Sequence, residues 1–105
     1  MEPNKRDTIR WGILSTGYIA HQFAEGLKAL PEAEIAAVGS RNAETAAAFA
    51  EEFHVGRSHC SYEELVRDPE VDVVYVATPH RYHKENTLLC FSAGKPVLCE
   101  KPLTL

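Results

Sequence analysis

The chain has 105 residues, 45% of them hydrophobic and 25% charged, which fits one small globular domain and excludes two full ones. Its formal net charge of -4 at pH 7 argues against a general nucleic-acid binder or a polybasic membrane-surface protein, since both need clustered positive potential. The longest apolar runs, such as Val73 to Ala77, fall far short of the roughly 20 residues that span a bilayer, so no membrane crossing is expected. Met1 to Arg10 is polar and charged and does not read as a signal peptide, which makes a cytoplasmic location the default. Cys60, Cys90 and Cys99 are widely spaced with no CxxC pair, so buried reduced thiols are expected rather than a disulfide framework or a zinc knuckle.

Residues 1–8 read as a disordered start. Ile9 to Leu14 is a strand candidate, broken by Ser15-Thr16-Gly17. From Tyr18 to Leu30 the apolar residues Ile19, Phe23, Leu27 and Leu30 recur at helical spacing, and Pro31 stops the pattern. Glu34 to Val38 predicts a second strand ended by Gly39 and Ser40, and Asn42 is placed to cap a helix over Ala43 to Phe53. Arg57 to Cys60 is a candidate for a short edge strand. Ser61 with Glu64 three residues on predicts a capped short helix ending at Arg67, closed by Asp68 and Pro69. Val71 to Ala77 is β-branched and uninterrupted, the pattern of a strand buried on both faces of a parallel sheet. Thr78 and Pro79 then read as N-cap and first residue of a helix running to about Ala93, with Gly94 as its stop. Pro96 to Cys99 predicts the last strand. Strands alternating with helix-length connections make this an α/β fold, a doubly wound parallel sheet of the Rossmann dinucleotide-binding kind. The abrupt end at Leu105, where Thr104 is placed to cap a further helix, suggests a fragment of a longer protein.

Three places carry candidate chemistry. In a dinucleotide fold the turn after the first strand carries GxGxxG or GxGxxA, whose small residues admit the pyrophosphate to helix N-terminal amides. The aligned positions here are Ser15, Gly17 and Ala20. A serine replaces the first glycine and is tolerable only with an ordinary negative φ, so the match is degenerate and a plain strand-to-helix turn stays open. At the end of the second strand, where NAD-binding sites place an Asp or Glu for the ribose 2′-hydroxyl, stands Ser40-Arg41-Asn42. An arginine there pairs with a 2′-phosphate and stacks on adenine, favouring NADP over NAD; the alternative is a solvated arginine. Finally, Thr78-Pro79-His80, His83 and Glu100-Lys101-Pro102 follow later strands and emerge on the same sheet edge if the strands are parallel. Pro102 forces Lys101 into an extended conformation, and a lysine near an oxidised nicotinamide is suited to exchange a proton with a substrate hydroxyl. A surface lysine and an exposed histidine are the plainer alternatives. His80 and His83 lack further partners at metal-ligand spacing, so no metal site is expected.

With these residues assembled, the chain resembles the N-terminal domain of the Gfo/Idh/MocA oxidoreductases. The segments that carry the resemblance are Trp11 to Ala20, Ala77-Thr78-Pro79-His80 with His83, and Gly94 to Pro102, whose Glu-Lys-Pro is the most specific. The Trp-Gly opening and Ser15 are most similar to the dimeric dihydrodiol dehydrogenase branch. The resemblance implies hydride transfer between NADP, or NAD, and an alcohol or carbonyl of a sugar, polyol or cyclic diol. It implies cofactor contacts from Ser15, Thr16, Gly17, Tyr18, Ile19, Ser40, Arg41, Thr78, Pro79, His80, Glu100 and Lys101. It also implies catalytic roles for Lys101 and His83. Family members continue into a second α/β domain that holds the substrate and usually forms the homo-oligomer, so residues 9–105 alone are expected to be inactive. A non-catalytic Rossmann module that senses a nucleotide or holds a partner is the alternative, since a fold does not fix a function.

Overall fold

A computed structural model describes residues 8–78 and 82–99. Along the chain lie β1 (Ile9–Leu14), α1 (Tyr18–Leu27), β2 (Ala33–Gly39), α2 (Ala43–Glu52) and β3 (Ser58–His59). They are followed by α3 (Tyr62–Val66), β4 (Val73–Val76), α4 (His83–Ser92) and β5 (Val97–Cys99). The strands form one five-stranded sheet in the order β3-β2-β1-β4-β5, and every neighbouring pair is parallel. This is the doubly wound α/β architecture the sequence predicts. The expected disorder at 1–8 falls almost wholly on residues outside the described ones.

The period-2 geometry of a strand assigns each residue to a layer. Ile13, Val38 and Tyr75 face one side, where they pack with Ala20 and Ala24 of α1 and Phe49 and Ala50 of α2. Their chain neighbours Leu14, Ala37, Val74 and Val76 face the other, against Leu65 and Val66 of α3 and Cys90 of α4. The chain therefore changes face between β3 and α3, and the change opens the crevice between β1 and β4 at which such sheets take ligands. On the first face Phe23 stacks on Tyr75 with centroids 3.7 Å apart, and Trp11 meets Phe23 edge-on at 5.0 Å.

Local signals set most of the helix ends. Asn42 accepts from the amides of Glu44 and Thr45, and Ser61 accepts from that of Glu64, so both are N-caps as expected. Helix α1 stops at Leu27, short of Leu30, because the next residues tighten into i→i+3 bonds, Ala29 to Gly26 and Leu30 to Leu27. The start of α4 departs from expectation. Thr78 does not cap it; the helix begins at His83, with Tyr82 as an N-cap residue that makes no side-chain cap bond. The Thr78 hydroxyl accepts from Asn86 Nδ2 at 2.8 Å, so this oxygen anchors the middle of the helix. Buried thiols hold only in part: Cys90 is buried and Cys99 half-buried, but Cys60 is exposed, and all three are free. Burial, helped by nearby Cys99, pushes the Cys90 thiol up to about 11 and keeps it protonated.

Candidate functional site

Parallel register brings the expected site segments together. Leu14, the last residue of β1, pairs with Gly39 and with Val76, and Val76 pairs with Cys99. The residues that leave β1, β2 and β4 (Ser15-Thr16-Gly17, Ser40-Arg41 and Ala77-Thr78) therefore emerge on one edge of the sheet. Pro79, His80, Glu100 and Lys101 lie outside the described residues.

At the β1–α1 turn Ser15 does not keep a negative φ. Its φ is +107°, the conformation that glycine supplies at no steric cost and that strains a serine. Its amide donates to the Gly39 carbonyl at 2.8 Å, so the strained turn is tied to β2. Gly17 is the N-cap of α1, with φ -79° and no side-chain cap bond. A Cβ at Gly17 would meet nothing nearer than Ser15 Oγ, 3.9 Å away. Neither backbone strain nor internal packing demands a glycine here, so the open space above it is available to a ligand. Tyr18 and Ile19, in the first turn of α1, are 74% and 40% exposed beside that space. An uncapped helix N-terminus below a bare glycine suits a pyrophosphate, and on this test the chain fits a dinucleotide.

At the end of β2 the two expected contact residues separate. Ser40 is only 7% exposed; its Oγ lies 2.6 Å from Thr45 Oγ1 and accepts from the Asn42 amide at 3.3 Å. It shapes the loop from within. Arg41 is exposed, with its guanidinium carbon 5.3 Å from the ring centre of Tyr62 and 5.9 Å from that of Tyr82. Arg41, Tyr62, Glu63, Glu85 and Asn86 line a cleft of about 430 Å³ between α3 and α4.

After β4, the Thr78 main chain and side chain are both held. His83 Nε2 donates to its carbonyl at 2.7 Å, which fixes the proton on Nε2 when the ring is neutral, and Asn86 donates to its hydroxyl. His83 is thus anchored at the candidate edge rather than fully exposed. Asn86, 2% exposed, is missed by the sequence reading, although a polar residue of low helix propensity inside a helix is a signal of such a bond. The aromatic partners of Arg41 carry no local signal at all. Among the described residues no group of three or more His, Cys, Asp or Glu is placed to hold a metal ion, and no helix is long and apolar enough to cross a membrane.

A family model described as an oxidoreductase family with an NAD-binding Rossmann fold matches residues 9–105. The chain belongs to the Gfo/Idh/MocA oxidoreductase family. Within it, trans-1,2-dihydrobenzene-1,2-diol dehydrogenase of Mus musculus is 48% identical over 97 residues, and its Homo sapiens counterpart 45% over 96. Each match covers 90% of this chain and 29% of the relative, so the chain spans under a third of their length. A crystal structure of a 3-ketoreductase from Actinomadura kijaniata, in complex with NADP and TDP-benzene, superposes with a TM-score of 0.84 at 37% identity. The match covers 92% of this chain and 30% of that one. A myo-inositol dehydrogenase from Lactobacillus casei, in complex with NAD(H) and myo-inositol, gives 0.82 at 27%, covering 90% and 29%. Gfo/Idh/MocA membership accounts for the sheet order and for a glycine that the chain's own packing does not need, and the fold is an NAD(P)-binding one.

Proposed function

We propose that this chain is the nucleotide-binding domain of an NADP-dependent oxidoreductase that interconverts an alcohol and a carbonyl on a sugar, polyol or cyclic diol. The observation that carries the reading is Arg41. It stands at the end of β2, where an NAD site needs a carboxylate, and no carboxylate among the described residues pairs with it. A guanidinium there attracts a 2′-phosphate that a carboxylate would repel. Ser15, Thr16, Gly17, Tyr18 and Ile19 would hold the pyrophosphate side, and Ser40 would shape the Arg41 loop. Thr78, Pro79, His80 and Glu100 would line the nicotinamide side. When bound, the cofactor supplies the hydride.

Lys101 follows Cys99 by two residues, and β5 ends in register with Val76. That supports a role at the same edge, exchanging a proton with the substrate hydroxyl. His83, anchored to the Thr78 carbonyl, would orient the neighbouring loop beside the reacting groups. A second domain, in the length that the relatives have and this chain does not span, would hold the substrate and form the homo-oligomer. The acidic net charge supports a protein that uses neither nucleic acid nor membrane, and the polar Met1 to Arg10 supports a place in the cytoplasm. Titration with NADP and NAD tests the reading. The wild type should prefer NADP, and Arg41→Ala should erase about 10- to 100-fold of that preference, the worth of charge-assisted bonds to one phosphate. An unchanged ratio would sink the NADP assignment.

A further inference from the structure

We propose that Tyr62 is a positioning residue for the nucleotide: its ring holds the Arg41 guanidinium where it reads a ribose 2′-phosphate, and so sets the preference for phosphorylated adenosine. The inference rests on the reading of Arg41 given above. A free arginine side chain loses much rotamer freedom when it closes on a ligand. A partner that holds it in the unliganded protein lowers that loss, and the gain falls only on ligands that use the arginine.

The geometry supplies such a partner. The Arg41 guanidinium carbon is 5.3 Å from the Tyr62 ring centre, inside the roughly 6 Å reach of a cation over a ring face. Tyr82, at 5.9 Å, sits at that limit. Tyr62 is itself fixed: it opens α3 behind the Ser61 cap and packs partly buried against the second core cluster. Arg41 leaves a backbone held on both sides, by Ser40 in the core and by Asn42 capping α2. With both ends anchored, the guanidinium has little room to swing away. The rest of the cleft is not positive, because Glu63 and Glu85 line it too. Among the described residues that line the cleft, Arg41 is the one cation, so the placement of that charge matters more there than a diffuse field.

Calorimetric titration with adenosine 2′,5′-bisphosphate and with AMP, neither of which reports on hydride transfer, tests the idea. In Tyr62→Leu the bisphosphate should bind about two- to fivefold more weakly, the range of an exposed cation–π contact, with AMP unchanged. Tyr62→Phe should restore the wild-type ratio, and combining Tyr62→Leu with Arg41→Ala should lose no more than Arg41→Ala alone. If Tyr62→Leu does not fold, phenylalanines of increasing fluorine content at position 62 replace it; they keep the ring shape, and the ratio should fall with each fluorine. Equal weakening of both ligands, a flat fluorine series, or a wild-type ratio in Tyr62→Leu would overturn the role of Tyr62 while leaving Arg41 intact. A ratio that survives Arg41→Ala removes the reading beneath it, and the role of Tyr62 falls with that.

Discussion

Ser15 and Gly17 stand two residues apart in the same turn and have opposite reasons to be what they are. Ser15 is held at φ +107°, which costs a non-glycine residue about 1–3 kcal/mol. Among the described residues its compensations on this turn are the bond to Gly39 and a long 3.4 Å contact from the Gly17 amide to its Oγ. Ser15→Gly should therefore raise stability by about 1 kcal/mol, the relieved strain less the extra freedom of an unfolded glycine. An urea midpoint at or below wild type would show that the hydroxyl offsets the strain. Gly17→Ala should behave in the reverse way. Its φ of -79° suits any residue and its Cβ enters open space, so the loss of stability should stay within about 1 kcal/mol. NADP affinity should nevertheless fall tenfold or more if the pyrophosphate needs that space. Equal NADP binding would mean that the space is not used. The sequence locates this turn from its small residues, but it expects an ordinary φ at Ser15. A one-dimensional pattern does not contain the sign of a dihedral that is set by the bond to β2.

Among the elements, α3 shows how far periodicity reaches. Ser61 marks where it starts, yet nothing local says where its five residues dock. That is decided by a glycine in the sheet: a Cβ at Gly39 would lie 2.8 Å from Leu65 Cβ. Gly39 reads in the sequence as the residue that ends a strand, but it is the last residue of β2 and the floor under α3. The start of α4 is misread for a related reason. Thr78 has the chemistry of a cap, but Tyr82 is the N-cap residue of α4, and the Thr78 hydroxyl holds a long-range partner, Asn86. Strand limits and the two capped helices were legible because their signals are local; these two features depend on residues eight to twenty-six positions away. Gly39→Ala should accordingly cost about 1–3 kcal/mol, since a methyl group this close to a side-chain root cannot be absorbed by a rotamer change. The readout is the thermal midpoint, with nucleotide affinity per folded molecule falling as well if Tyr62 moves with α3. A midpoint equal to wild type would mean that α3 shifts freely.

Across the whole molecule, the sheet has two edges, β3 and β5, and the segment between α3 and β4 ties them together. Asp68, whose side chain is 0% exposed, accepts from Arg57 Nε at 2.7 Å and from His59 Nε2 at 2.8 Å, both at the β3 edge. Lys95, just ahead of β5, donates from Nζ to the carbonyls of Asp68 and Val71 at 2.8 and 2.7 Å. Burial alone would raise the Asp68 carboxyl, but the hydrogen bonds from Arg57, His59 and the Glu70 amide outweigh it and hold it at about 2, against 3.8 for the free side chain. The folded state therefore keeps Asp68 ionised where the unfolded chain has begun to protonate it. The stabilisation is full above about pH 4 and is lost as the pH falls from there toward 2; the shift corresponds to about 2 kcal/mol. Urea melts of wild type and Asp68→Asn between pH 7 and pH 2 separate this contribution from that of the other carboxylates, which titrate in both proteins. The gap in unfolding free energy should be widest near neutrality and close below pH 4. A gap that stays constant down to pH 2 would mean that the charge of Asp68 does not hold the two edges together, and that shape and neutral hydrogen bonding at that position suffice.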